Sequence, residues 1–382
     1  MERIHSINPA RIAWCCADQG IAPETLAAEV GISPSTLSKL LDGEDNGLTF
    51  GQLTKIANYF GRGVLFFMES EPVNEERVHT PAFRTLANQK PELSAKLRVL
   101  IERVERQRSI YLGLREELED VDFPQYAPPE IPNTPREAAA IVRTWLGLGD
   151  HNTFETYRMA LEKKGVLVFR SNGYNGKWQI AADSPILGFS LYYEDCPLIV
   201  VKKQDADSQQ SFTLMHELGH LLLHKASSID DETDMYSHKG MERDANAFAG
   251  HLLVPNEFLR QIKDSERPAD ATGYDDWLAL YRRRWSVSGE VILRRLLDTG
   301  RLTQQQYAAY REAKANAAPP PASGGSRMFR HREPKHIFGD TFVRTVLGAL
   351  SGRRITLAKA STYLDGLKIS DVHALERHYA GL

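Results

Sequence analysis

The segment Phe212-Thr-Leu-Met-His-Glu-Leu-Gly-His220, followed at once by Leu221-Leu-Leu-His224, decides how most of this chain is read. On a helix, two histidines four residues apart project from one face, a turn apart, and can hold one ion together. Glu217, directly after the first histidine, then points near an open coordination position, where a carboxylate can take a proton from water. Apolar residues surround them (Phe212, Leu214, Leu218, Leu221, Leu222, Leu223), which predicts burial. Buried imidazoles need partners, and a metal supplies one; a hydrogen-bonded pair of core histidines is the plainer alternative.

A catalytic metal site needs a third protein ligand. His224 has the helical phase, but three successive ligands on a straight helix span about 12 Å at ~1.5 Å per residue and converge poorly on one ion. The glycine and third histidine of the longer metzincin signature are absent. Glu242, which opens a second helical stretch, fits better; Asp244 is a rival whose phase points elsewhere. Asn246, one turn after Glu242, is placed to orient a ligand from behind. Ala245, Ala247 and Ala249 are small enough to let two helices approach closely.

Residues 166–169, 188–193 and 198–201 are rich in β-branched and aromatic side chains and predict strands. Helices are predicted over 135–146, 152–164, 211–225 and 241–253, with an acidic loop (Asp230, Asp231, Glu232, Asp234) before the last. That loop reads as a gate. The arrangement is α+β with a small sheet.

Together His216-Glu-Leu-Gly-His-Leu-Leu-Leu-His224, the run Glu242-x-x-Ala245-Asn246-x-Phe248-Ala249 and the stop Leu252-Leu-Val-Pro255 resemble the ImmA/IrrE family of metallo-endopeptidases. Gly188-Phe-Ser190, Leu198-Ile-Val-Val201, Trp285-Ser-Val-Ser288 and Arg295-Leu296 match its pattern too, so the resemblance covers about residues 135–300. It implies a zincin-like domain with Zn2+ on His216, His220 and Glu242, and Glu217 as catalytic base. It also implies a protein substrate, typically a transcriptional repressor cleaved or disabled during stress or phage induction. Gln210 stands where the family often has a basic residue, a departure that touches only local packing. Tyr236 and His238 are candidates for the further donor an oxyanion needs.

Near the other end, Thr25-Leu-Ala-Ala-Glu-Val-Gly-Ile-Ser-Pro-Ser-Thr-Leu-Ser-Lys-Leu-Leu-Asp-Gly43 resembles the XRE (Cro-repressor-like) helix-turn-helix, over about residues 8–68. The resemblance implies an operator-binding module whose recognition helix exposes Ser35, Thr36, Ser38 and Lys39. Charge argues for restraint: residues 1–70 hold five basic residues (Arg3, Arg11, Lys39, Lys55, Arg62) against eight acidic ones. Phosphate contacts supply much of DNA affinity, so a protein-docking role is the alternative.

The remaining stretches set the organisation. Residues 91–119 predict a long helix in which Leu97, Val104, Tyr111 and Leu118 alternate with Leu93, Leu100, Gln107 and Leu114, a heptad seam suited either to pairing two chains or to packing a single long helix on its own domain. Five prolines within 122–135 mark a linker. Residues 315–326 are low in complexity and predict flexibility, and beyond them lies a basic patch (Arg327, Arg330, His331, Arg332, Lys335, His336). The expected order is a helix-turn-helix domain (1–70), a long helix and linker (71–134), a peptidase-like domain (135–312), a basic linker (313–337) and a helical tail (338–382). In that tail Leu357, Leu364, Leu367, Val372 and Leu375 are too few for an independent core, so a partner is expected to cover them.

At 382 residues with a net charge of −3, the chain has no global basic field. Its three cysteines lack disulfide or ligand-like spacing. No run approaches the roughly 20 apolar residues of a membrane span, and the first ten residues lack a signal-peptide core, so a soluble cytoplasmic protein is expected. Two functions compete: a regulator-linked metallopeptidase, and an antitoxin that represses its own operon and clasps a neighbouring toxin, a PIN-type ribonuclease in many such fusions, through the tail. An intact Glu217 favours the first, because a scaffold has no need of it.

Overall fold

The computed structural model describes residues 3–44, 47–74, 79–90, 93–118, 123–172, 176–237, 239–315 and 327–381. The chain forms two compact units, Met1–Arg106 and Gln107–Leu382, and the fold is α+β. The division falls inside the helix Ala95–Leu118. The sequence placed the break at the prolines of 122–135, but Tyr126 and Ile131 from that stretch pack on the core of the second unit.

In the first unit, helices Pro9–Asp18, Pro23–Val30, Pro34–Leu41 and Phe50–Phe60 enclose Ile12, Leu26, Leu37, Leu53, Ile56 and Phe60. A proline starts each of the first three, where its missing N–H costs nothing. Thr49 and Gln52 form a capping box on the fourth. The two-residue strands β1 (Arg3–Ile4) and β2 (Leu48–Thr49) pair antiparallel. His79 anchors this unit: its Nε2 lies 2.9 Å from Asp18, its Nδ1 3.2 Å from Glu102, and its ring stacks on Phe83 at 4.3 Å. Burial alone would lower its pKa, but the two carboxylates outweigh burial and push it up to about 9.

The heptad seam is already occupied within one chain: Leu93, Leu97, Leu100, Val104, Gln107, Tyr111 and Leu114 are all buried. Gln107, its polar interruption, donates from Nε2 to the Tyr363 carbonyl at 2.7 Å. The pairing of two chains predicted from this seam therefore lacks a free apolar face.

Among the described residues of the second unit, four strands form one sheet in the order β3 (Leu167–Arg170), β5 (Leu198–Val201), β4 (Ile186–Leu191), β6 (Ser228–Asp231). β3 runs parallel to β5, and β4 runs antiparallel to both β5 and β6. The fourth strand corrects the acidic-loop reading of Asp230 and Asp231. Ser-Ile-Asp-Asp carries one apolar residue and looks like a turn, yet pairing with β4 seats Ile229 opposite Phe189 in the core. Helices Asp207–Gly219 and Gly240–Leu253 pack on the core and bring the site to it.

The tail is not an uncovered appendage. Helix Glu333–Ser351, kinked at Gly339, lies on β3 and on helix Phe154–Glu162. Arg158, 1% exposed, donates to the carbonyls of Lys335, His336 and Ile337. Glu162 accepts from the backbone N–H of Asp340 at 3.1 Å and of Thr341 at 3.0 Å. Phe338 meets Trp178 edge-on at 4.8 Å and Phe169 at 5.6 Å. Leu364, Leu367, Val372 and Leu375 are buried within the chain, and Leu357 is half-buried. The expectation of a partner covering them fails because helix Glu333–Ser351 and the turn Arg327–Arg332 pack against the two terminal helices, while helix Glu333–Ser351 itself rests on β3. Residues 316–326, the stretch predicted to be flexible, lie outside the described residues. No helix among the described residues is long and apolar enough to cross a membrane.

Two outcomes follow. Because the folded pKa of His79 exceeds its ordinary 6.5, its contribution to stability is fully present below about pH 6.5 and is lost as pH rises through about 9. His79→Gln is expected to remove that pH dependence and about 2 kcal/mol at pH 6, read by denaturant unfolding. A chain ending at residue 326 exposes Phe169 and opens the buried Arg158–Glu162 pair, so its melting temperature is expected to fall by on the order of 10 °C. An unchanged melting temperature would refute the packing role given to the tail.

Candidate metal centre

Burial fixes the helix that carries the motif. From Gln210 to Leu222, all but Phe212 are buried, and His216, Glu217 and His220 are 0–1% exposed. After Gly219 the helix widens into a π-helical turn, His220–His224, which ends with Lys225 in the left-handed region at φ 49°. A Cβ at Gly219 would sit 3.2 Å from the Ala245 Cα and from the Phe248 ring, so that glycine lets the second helix cross closely. The crossing delivers Glu242, two residues into that helix, to the two histidines.

The candidate ligand atoms lie close together. His216 Nε2 and His220 Nε2 lie 3.1 Å apart, and Glu242 Oε2 is 3.2 Å from the first and 3.3 Å from the second. A residue the sequence reading missed completes the group. Asp230 Oδ2, on β6, is 3.5 Å from His216 Nε2 and 3.6 Å from His220 Nε2. Among the described residues these four offer ligand atoms within 4.8 Å of one another. Two imidazoles facing a surplus of carboxylates, with Asp230 Oδ2 and Glu242 Oε2 buried and lacking hydrogen-bond donors, are a donor set that suits a divalent cation. No sequence signal pointed to Asp230, because its strand was itself hidden in an acidic run.

The electrostatics agree with that fit. Burial works against a charged His216, yet Asp230 and Glu242 push its pKa up to about 9. Burial likewise opposes ionised Glu242, but His216 and His220 hold its carboxyl well below the usual range. Glu217 moves the other way. Burial, then the neighbouring Asp230 carboxylate, raises its pKa well above the ordinary value, and Ser190 flanks it. Gly188 of β4 makes its room: a Cβ there would lie 3.0 Å from Glu217 Oε1 and 2.7 Å from Thr213 Cγ2.

The remaining candidates fall into place around this group. His224 Nδ1 lies 3.0 Å from His220 Nδ1, so it steadies a ring whose other nitrogen faces the cluster. Asp244 pairs with Arg243 and is not among the converging groups. Asn246 holds the loop ahead of Glu242 rather than a ligand itself, its Nδ2 donating to the carbonyls of Asp234 at 2.9 Å and Ser237 at 3.3 Å. Gln210 donates to Gln204 O and Asp207 Oδ1, a purely local role. Tyr236 is half exposed beneath the Arg311 guanidinium, 5.0 Å from its ring centre; His238 lies outside the described residues. A cleft of about 560 Å³ opens beside the motif helix, lined by Phe212, Thr213, Tyr236, Asn246, Arg294 and Tyr310 among others. In the first unit Ser35, Ser38 and Lys39 are exposed on helix Pro34–Leu41 and Thr36 is half-buried.

Comparison with known proteins finds a match in each unit. Residues 161–297 match the family described as the IrrE N-terminal-like domain, and residues 11–62 match the Cro/C1-type HTH DNA-binding domain. The chain is 32% identical over 87 residues to "Uncharacterized immunity region protein 2" of Bacillus phage phi105, a match spanning 22% of this chain and 55% of the relative. It thus covers about half the length of that curated relative. The chain joins a Cro/C1-type helix-turn-helix at its N-terminal side to an IrrE/ImmA-like Peptidase_M78 domain.

Proposed function

We propose that this chain is a zinc-dependent endopeptidase tied to a DNA-binding regulator, and that it cleaves a regulatory protein such as a repressor. The convergence of His216, His220, Glu242 and Asp230 around one point, with Glu217 beside it, carries this reading. His216, His220 and Glu242 would hold the ion. A bound zinc ion supplies Lewis acidity, which makes water acidic enough to lose a proton near neutral pH and polarises a scissile carbonyl. Glu217 takes that proton and returns it to the leaving amine. Its raised pKa is the direction such a shuttle needs, and the buried pocket keeps bulk water from competing. The cleft beside the motif helix has room for an extended peptide. The immunity-region name of the phage relative favours a regulatory protein as the substrate.

The antitoxin alternative drew its support from a tail free to clasp a partner. With Val372 and Leu375 buried inside the chain, that support falls away.

For DNA, the exposed cations of the first unit are few. Within residues 1–70, Arg11 pairs with Glu69 and Arg62 with Glu102, while Arg3, Lys39 and Lys55 are exposed. We infer that the module binds operator DNA modestly and gains strength when two chains occupy paired half-sites. Lys39→Ala is expected to weaken operator binding about tenfold and to lower the salt slope by about one, read by fluorescence anisotropy across salt concentrations. Unchanged binding would turn the module into a protein-docking domain.

The zinc reading is tested by metal content and cleavage together. The purified protein is expected to hold about one zinc per chain, and His216→Ala or Glu242→Ala to remove most of it. Glu217→Gln should keep the metal and lose at least 10²-fold in peptide cleavage, since it alters the base and no ligand. Full activity in Glu217→Gln against a verified substrate would sink the mechanism.

A further inference from the structure

We propose that Asp230 is a fourth protein ligand and that, in the fold described here, it closes the metal site and leaves the peptidase latent. The inference rests on the zinc reading above and goes beyond it. Asp230 is 1% exposed on β6. Ser228 Oγ donates to its Oδ1 at 3.2 Å and fixes the carboxylate plane. Its Oδ2 has no hydrogen-bond donor and is aimed at the two histidine nitrogens.

The separations have a coordination meaning. Ligand atoms at about 2.0–2.1 Å from a tetrahedral ion lie about 3.3 Å from one another. The measured edges are 3.1 Å between the histidines, 3.2 and 3.3 Å from them to Glu242, and 3.5 and 3.6 Å from them to Asp230. Asp230 Oδ2 thus lies nearly as close to both histidine nitrogens as Glu242 does, on the side where a fourth ligand would stand, and the four ligand atoms lie within 4.8 Å of one another. Catalytic zinc sites keep one such vertex open for water, whereas sites with four protein ligands are closed. Here Asp230 occupies the open vertex, and Glu217, the group that must meet water, lies beside it.

Release is local. β6 is four residues long, sits at the end of the strand order, and pairs with β4 alone among the described residues. The β4–β6 register is already broken by a bulge between Ile186 and Gly188, and the 3-10 turn Asp234–Tyr236 follows closely. Withdrawing Asp230 thus disturbs few ladder hydrogen bonds, and the three remaining ligands still hold the ion.

The test replaces zinc with cobalt, whose visible spectrum reports coordination, and uses azide as the probe for an open vertex. In wild type the cobalt spectrum is expected not to move with azide. In Asp230→Ala it should shift saturably, with metal still bound at one per chain and zinc affinity at least tenfold weaker. Asp230→Asn, nearly isosteric, guards against misfolding and should give the same shift. Wild-type cobalt protein that binds azide as tightly as Asp230→Ala would overturn the closed site while leaving the zinc reading intact. Unaltered zinc affinity and no azide response in either variant would also overturn it. A wild-type chain that takes up no metal would refute the zinc reading itself, and the closed site with it.

Discussion

Everything around the site depends on packing charged groups where water is scarce. Glu217, Asp230, His216 and His220 are all at most 1% exposed, and Glu242 closes the group from one side. Unpaired, any of these groups would cost several kcal/mol to bury. Together they offset one another only while two helices and one strand hold them within hydrogen-bond reach. That requirement explains the small residues nearby. Gly219 against Ala245 sets the helix crossing, and Gly188 leaves space for the Glu217 carboxylate. Within the π-helical turn that follows, His224 meets the ring nitrogen of His220 that faces away from the cluster.

The same logic governs the surroundings of the site. Arg158 and Glu162 are buried beside β3, and the backbone of helix Glu333–Ser351 supplies hydrogen bonds to them. Their helix also carries Tyr157 and Leu161 into the core that supports the motif helix. The tail is therefore part of the domain's stability, although it lies beyond the residues that match the peptidase family.

Much of this was legible in the residues alone. The histidine pair, Glu217 and Glu242 were read from helical phase, because a period of 3.6 fixes which side chains share a face. The helices of the first unit were read from prolines at first turns and glycines at ends, which act through local backbone chemistry, and the helix-turn-helix from a family resemblance. Three strands were visible because their β-branched runs are buried on both faces. Asn246 was expected to orient a ligand, but its partners are the loop carbonyls of Asp234 and Ser237, a detail that helical phase does not carry.

What stayed hidden depended on contacts between residues far apart in the chain. β6 contains too little apolar sequence to announce itself and exists because β4 offers it a ladder. Asp230 joins the histidines only through that pairing. The tail's sparse leucines looked uncovered because helix Glu333–Ser351, which packs on the terminal helices, is itself held by Glu162, about 180 residues away. Sequence by itself determined the elements and the chemistry each one carries, since propensity, capping and periodicity are local. Tertiary structure alone decided which carboxylate meets which imidazole and which apolar face is already taken, since burial and register are properties of the assembled chain.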